Sequence, residues 1–186
     1  MEALIYIPIL LLCIAPPLYA LVQYNTLIAL RNHIRESWAD IDTELKRRYD
    51  LIPRLVEVAR AYAKHEREVF ENVAALRERC AANHGPVSSQ ARDEAELVGV
   101  LQTFLARVEA YPELKADAQF QSLHAELVNT EDRIQAARRF YNGNTRDYEN
   151  KRQSFPSSVV ANLFSFTPAA YFTVEPAVRE APAVAL

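Results

Sequence analysis

Between residues 24 and 82 the apolar side chains recur at alternating steps of three and four, which restricts this stretch to amphipathic α-helix. Leu27, Ile28, Ile34, Trp38, Ile41 and Leu45 share one face, with Arg31, Arg35, Asp42 and Lys46 displaced from it. Leu55, Val58, Ala59, Tyr62, Val69, Val73 and Leu76 repeat the pattern. Between the two stripes, Asp50 can accept hydrogen bonds from the free N–H groups that open a helix. Pro53 suits a first helical turn, where no donor is missed. The two stripes are therefore expected to be separate helices meeting at residues 50–53, as a hairpin or a sharply kinked pair.

The rhythm returns twice. Leu97, Val98, Leu101, Phe104, Leu105 and Val108 predict a third helix over residues 92–109, after a Gly-Pro and serine-rich loop at residues 83–91. Tyr111 ends it, because the residue before a proline is pushed out of the α region. Phe120, Leu123, Leu127, Thr130, Ile134, Ala137, Tyr141 and Tyr148 predict a fourth helix over residues 115–152. With only three glycines in 186 residues and few of the twofold alternations of a strand, the expectation is all-α. Four long stripes joined by short breaks can bury one another as a helix bundle over residues 24–155. Beyond it, residues 156–174 are apolar and aromatic and read as a strap packed on the bundle or on a membrane. Residues 175–186 read as a disordered tail rich in Pro and Ala.

The N-terminus adds a second constraint. No charged side chain occurs over residues 3–22, and about 20 helical residues rise about 30 Å, the hydrocarbon thickness of a bilayer. A cleaved signal peptide would carry a positive n-region, and here only Glu2 precedes the run. A lipoprotein signal would place a small residue before its cysteine, and Leu12 precedes Cys13. Residues 1–23 are therefore read as a retained transmembrane helix, kinked at Pro16 and Pro17 with the helix restarting there. Lys and Arg occur only after the run, so a single pass is expected, with the N-terminus outside and the body in the cytoplasm.

A net charge of −3 with no basic run argues against nucleic acid as a partner. Cys13 and Cys80 make no disulfide framework and have no His or Cys at metal-ligand spacing. His65–Glu66 resembles the start of a zinc-protease helix, but position 69 is Val, not the second histidine. No phosphate loop, nucleophile elbow or haem motif occurs, so neither a cofactor nor an enzymatic reaction is expected. Two residue sets remain as candidate sites. Asp40, Asp42, Arg47, Arg48, Glu131, Arg138 and Arg139 form an interhelical charge network or an anionic-ligand site. Leu163, Phe164, Phe166, Tyr171 and Phe172 form a membrane or partner contact.

Several segments resemble the LemA family closely: Tyr24–Asn25–Thr26–Leu27, Trp38–Ala39–Asp40–Ile41–Asp42 and Leu45–Lys46–Arg47–Arg48–Tyr49–Asp50–Leu51–Ile52–Pro53. The resemblance returns in Tyr111–Pro112–Glu113–Leu114–Lys115–Ala116, Thr130–Glu131–Asp132–Arg133–Ile134 and Ala137–Arg138–Arg139–Phe140–Tyr141–Asn142, and fades after Val174. It implies a bacterial membrane protein with one N-terminal segment and an antiparallel four-helix bundle. It implies no enzymatic activity, and one branch of the family is linked to magnetosome membranes. Tyr49 and Arg54 depart from the His and Asn expected at their places. The functional expectation is a non-enzymatic scaffold that organises copies of itself or another envelope protein at the membrane. The alternative is a lipid-binding or membrane-remodelling protein acting through the Arg-rich hairpin and the aromatic C-terminal segment.

Overall fold

In the computed structural model residues 2–63 and 65–173 are described, with side chains from Ile14 onward. They are all-α, with no strand among the described residues. The elements run α1 (Glu2–Tyr62), α2 (Arg67–Ala82), α3 (Val87–Val108), α4 (Pro112–Ala116), α5 (Ala118–Gln153) and α6 (Ser157–Leu163). Two compact units divide them, one drawn from Met1–Ile41 with Ala137–Ala170 and one from Asp42–Ala136 with Tyr171–Leu186. The expected tail at residues 175–186 lies outside the described residues, and so do the side chains of residues 1–13, most of the expected anchor. Among the described residues no helix is long and apolar enough to cross a membrane.

Two expected interruptions of α1 are absent. The helix passes through Pro16 and Pro17 without restarting, and through residues 50–53 without turning. Proline holds φ at the helical value and removes one donor, so it need not end a helix if the orphaned carbonyl finds another partner. At Pro53 that partner is visible. The Tyr49 carbonyl, four residues upstream, accepts a hydrogen bond from Arg77 Nε at 3.0 Å. Meanwhile the buried stripe runs on through Leu51, Ile52, Leu55, Val56, Ala59 and Ala63.

The real corner falls between the end of α1 at Tyr62 and the start of α2 at Arg67, where the sequence holds neither glycine nor proline. Side chains from a second corner hold it: Tyr62 Oη donates to Asp117 at 3.0 Å, and Tyr111 Oη donates to Glu66 at 3.1 Å. Asp117 also caps α5 by accepting the Phe120 N–H at 2.8 Å. The second unit thus contains, besides the short α4, the longer helical stretches of residues 42–62, α2, α3 and residues 118–136. Arg60 meets Phe70 and Tyr49 meets Arg77, while Phe70 meets Phe104 and Arg79 meets Asp93, so residues 42–62 run antiparallel to α2 and α2 runs antiparallel to α3. Phe70 and Phe104 meet edge to face at 6.0 Å inside it.

In the first unit α1 and α5 also run antiparallel, because the partners of Leu27, His33 and Trp38 are Tyr148, Asn144 and Tyr141 in falling order. α6 packs Val160 and Ala161 inward and ends with Ser165 at φ 54°. The Ser165 N–H reaches Asn162 O at 3.2 Å and the Phe166 N–H reaches Ala161 O at 2.9 Å. This is the paired 5→2 and 6→1 pattern of a left-handed helix stop, with its apolar contact between Phe166 and Ala161.

Beyond that stop, three α5 side chains grip the strap by its main chain. Tyr148 Oη donates to Thr167 O and Tyr141 Oη to Ala170 O, both at 2.8 Å, and Glu149 accepts the Ala169 N–H at 2.8 Å. Burial raises the Glu149 pKa, but hydrogen bonds from Arg152, Ala169 and Gln153 outweigh it and hold the carboxyl below its ordinary value.

Two outcomes follow. Arg77→Met, by leaving the Tyr49 carbonyl unpaired, should cost about 1–3 kcal/mol in a denaturant melt. The cost should shrink in a Pro53→Ala background, where residue 53 regains its donor. The Glu149 tie stabilises the fold above the unfolded carboxyl pKa, about 4.5, and is lost as pH falls through the lower folded value. The melting temperature of Glu149→Gln should therefore fall less steeply than that of the parent on acidification below about pH 4.5.

Candidate functional site

The charge network has its centre at Arg48, whose side chain is 1% exposed. Position 48 lies between Leu45 and Leu51 on the inward side of α1, where the three-four spacing would place another aliphatic residue. An unpaired guanidinium there would cost several kcal/mol, so the fold surrounds it with carboxylates. Arg48 Nη1 donates to Glu131 on α5 at 2.8 Å, and Arg48 Nη2 is ion-paired with Glu94 on α3. Glu94 also accepts the Tyr49 hydroxyl. Glu131 is braced by Gln135 Nε2 at 3.2 Å. One cation thus joins three helical stretches of the second unit.

The surrounding chemistry is unreactive. Burial keeps the Tyr49 phenol well above its ordinary pKa, and so protonated. Burial likewise raises the Cys80 thiol to about 11, so it is not a thiolate at neutral pH. Beside them opens a cleft of about 320 Å³ whose lining includes Lys46, Tyr49, Asp50, Arg77, Cys80 and His84. Its wall mixes cations and carboxylates. Lys46 is already paired with Asp42 at 2.6 Å, and Arg77 is engaged by the Tyr49 carbonyl. Among the described residues no three His, Cys, Asp or Glu side chains converge as a metal would require. Glu66, half of the protease-like pair, accepts the Tyr111 hydroxyl.

Of the seven charged candidates, the second unit brings Arg48 and Glu131 together. Asp42 is paired locally, and Arg47 lies 4.0 Å from Glu44. Asp40, Arg138 and Arg139 belong to the first unit, where Asp40 and Arg139 are exposed. Glu94 was missed. It follows Asp93 in a run of charge, and its only signal is a place three residues before Leu97 on the apolar stripe.

The aromatic candidates divide in the same manner. Phe166 and Phe172 are buried and serve as core, a correction to their reading as contact residues. The left-handed stop turns Phe166 inward, whereas Leu163, Phe164 and Tyr171 remain exposed.

Comparison with known proteins adds two findings. The model of the LemA family matches residues 37–186. Among curated proteins, the chain is similar to Magnetosome protein MamQ 2 and Magnetosome protein MamQ 1 of Paramagnetospirillum magneticum. Each is 23% identical, over 84% of this chain and 67% of the relative. It is also similar to Magnetosome protein MamQ of Magnetospirillum gryphiswaldense, at 21% identity and the same coverage.

The Arg48 cluster makes a quantitative prediction. Arg48→Met leaves the buried Glu94 and the partly exposed Glu131 without their shared cation and should destabilise the protein by about 3–5 kcal/mol. Adding Glu94→Leu to Arg48→Met should recover much of that loss. A double variant no more stable than the single one would show that the ion pair is not what holds these helices.

Proposed function

The chain belongs to the LemA family, and on that premise we propose that it is a membrane-anchored, non-enzymatic scaffold of the bacterial envelope. In this reading the uncharged N-terminal run crosses the inner membrane once, and the helical body on its cytoplasmic side organises copies of itself or another envelope protein. The observation that carries the reading is continuity. The run at residues 3–22 and the first helix of the body are one uninterrupted helix, Glu2–Tyr62. An inserted run would hold the body at the bilayer without a flexible linker. The Lys and Arg residues that follow the run favour a cytoplasmic body. The interior supports a structural role, since its buried cation is committed to carboxylates and its thiol is protonated.

The test is extraction from native membranes in mild detergent, followed by mass and composition of the complex. The protein should resist an alkaline carbonate wash, and deletion of residues 1–23 should release it. A homogeneous multiple of the 21.1 kDa chain mass supports self-assembly. A stoichiometric second envelope protein supports an adaptor. A lone monomer overturns the scaffold reading.

A further inference from the structure

The first unit leaves one side of α6 uncovered. Val160 and Ala161 are buried, but Val159, Leu163 and Phe164 are 59%, 73% and 51% exposed, and Phe155 just before them is 83% exposed. Apolar side chains this bare and this close together mark a surface that another phase or molecule covers. No charge interrupts them, since none occurs between Arg152 and Glu175.

Position on α1 identifies what covers them. Phe164 packs edge to face on Tyr24 with ring centroids 4.9 Å apart. Tyr24 stands two residues beyond Val22, the last residue of the uncharged bilayer-length run, or about 3 Å along the helix axis. The α1 residues leading to it are also apolar and bare: Leu18, Leu21 and Val22 are 60%, 59% and 50% exposed. Tyr19 and Tyr24 are the amphipathic rings that favour the level of lipid headgroups. Arg31, the first charged residue after Glu2, holds its guanidinium 5.5 Å from the centre of the Phe166 ring, on the same unit. A cation beside an uncharged apolar surface matches phosphate above acyl chain.

We propose that Phe155, Val159, Leu163 and Phe164 form a foot that seats in the headgroup–acyl boundary of the leaflet through which the N-terminal run leaves the membrane. The occupant is lipid, and the foot rests on the anchor reading above. It gives the body a second point of attachment, about 140 residues later in the chain than the first. Two separated attachments remove the freedom of the first unit to swing about its anchor.

The chain has a single tryptophan, Trp38, which makes the test direct. In full-length protein carrying Trp38→Phe, one tryptophan is placed by Leu163→Trp, by Leu21→Trp as the anchor reference, or by Phe140→Trp as the body reference. Phe140 is 61% exposed and adjoins Tyr141, which contacts Trp38, about 21 Å along α1 from Tyr24. Each variant is reconstituted into phosphatidylethanolamine and phosphatidylglycerol vesicles with acyl chains brominated at shallow or deep positions. If Trp38→Phe disturbs folding, difference emission against the parent with Trp38 retained gives the same readout.

The Leu163→Trp signal should lose about half its intensity or more to shallow bromines and less to deep ones, as interfacial insertion requires. Phe140→Trp should be unaffected. Quenching of Leu21→Trp without quenching of Leu163→Trp overturns the foot and leaves the anchor standing. Absence of quenching at both sites overturns the anchor and the foot together. Emission from Leu163→Trp that is blue-shifted but untouched by bromine means that protein covers the surface, a second copy or a partner, and this too overturns the proposal.

Discussion

A guanidinium removed from water is the strictest demand within the second unit. A buried charge without partners is prohibitively costly, so the burial of Arg48 is tolerable only while carboxylates stay within hydrogen-bond reach. Glu94 comes from α3 and Glu131 from α5, and any axial slip of either helix would withdraw an oxygen. Apolar stripes tolerate sliding because one aliphatic contact resembles the next. The ionic cluster fixes register in a way that the stripes cannot, which explains a charge at a position suited to leucine.

Helices and their buried faces are legible in the sequence because helical periodicity is a local property. Leu27, Ile41, Leu45, Leu97, Phe104 and Ile134 are all buried as their spacing predicts. Corners are less legible. Pro53 looks like a helix start only while its carbonyl partner is unknown, and the Arg77 that rescues the Tyr49 carbonyl lies 28 residues downstream of Tyr49. The true corner at residues 63–66 carries no local signal, because Asp117 and Tyr111 hold it from far along the chain. The same limit applies to the site. Arg48 and Glu131 could be named as a charge pair, but Glu94 is one acid among several until α3 is placed. Phe166 and Leu163 have similar sequence surroundings and opposite fates, decided by Ser165 adopting a left-handed conformation between them.

The two protonatable groups beside Arg48 are held away from neutrality. Catalytic sites hold groups whose protonation is poised near neutrality. Here burial keeps the Tyr49 phenol and the Cys80 thiol protonated, and Arg48 is committed to carboxylates.

The strap is held in an unusual currency. Tyr141, Tyr148 and Glu149 seize carbonyls and an amide of residues 167–170, not their side chains. The exposed side chains at positions 167, 168 and 170 are therefore nearly invisible to the contacts that dock them. Ala169 differs, because it also packs on the core around Leu27, and a proline there would delete the amide that Glu149 receives. The demand on side-chain identity therefore falls on the holders in α5 more than on the segment they hold.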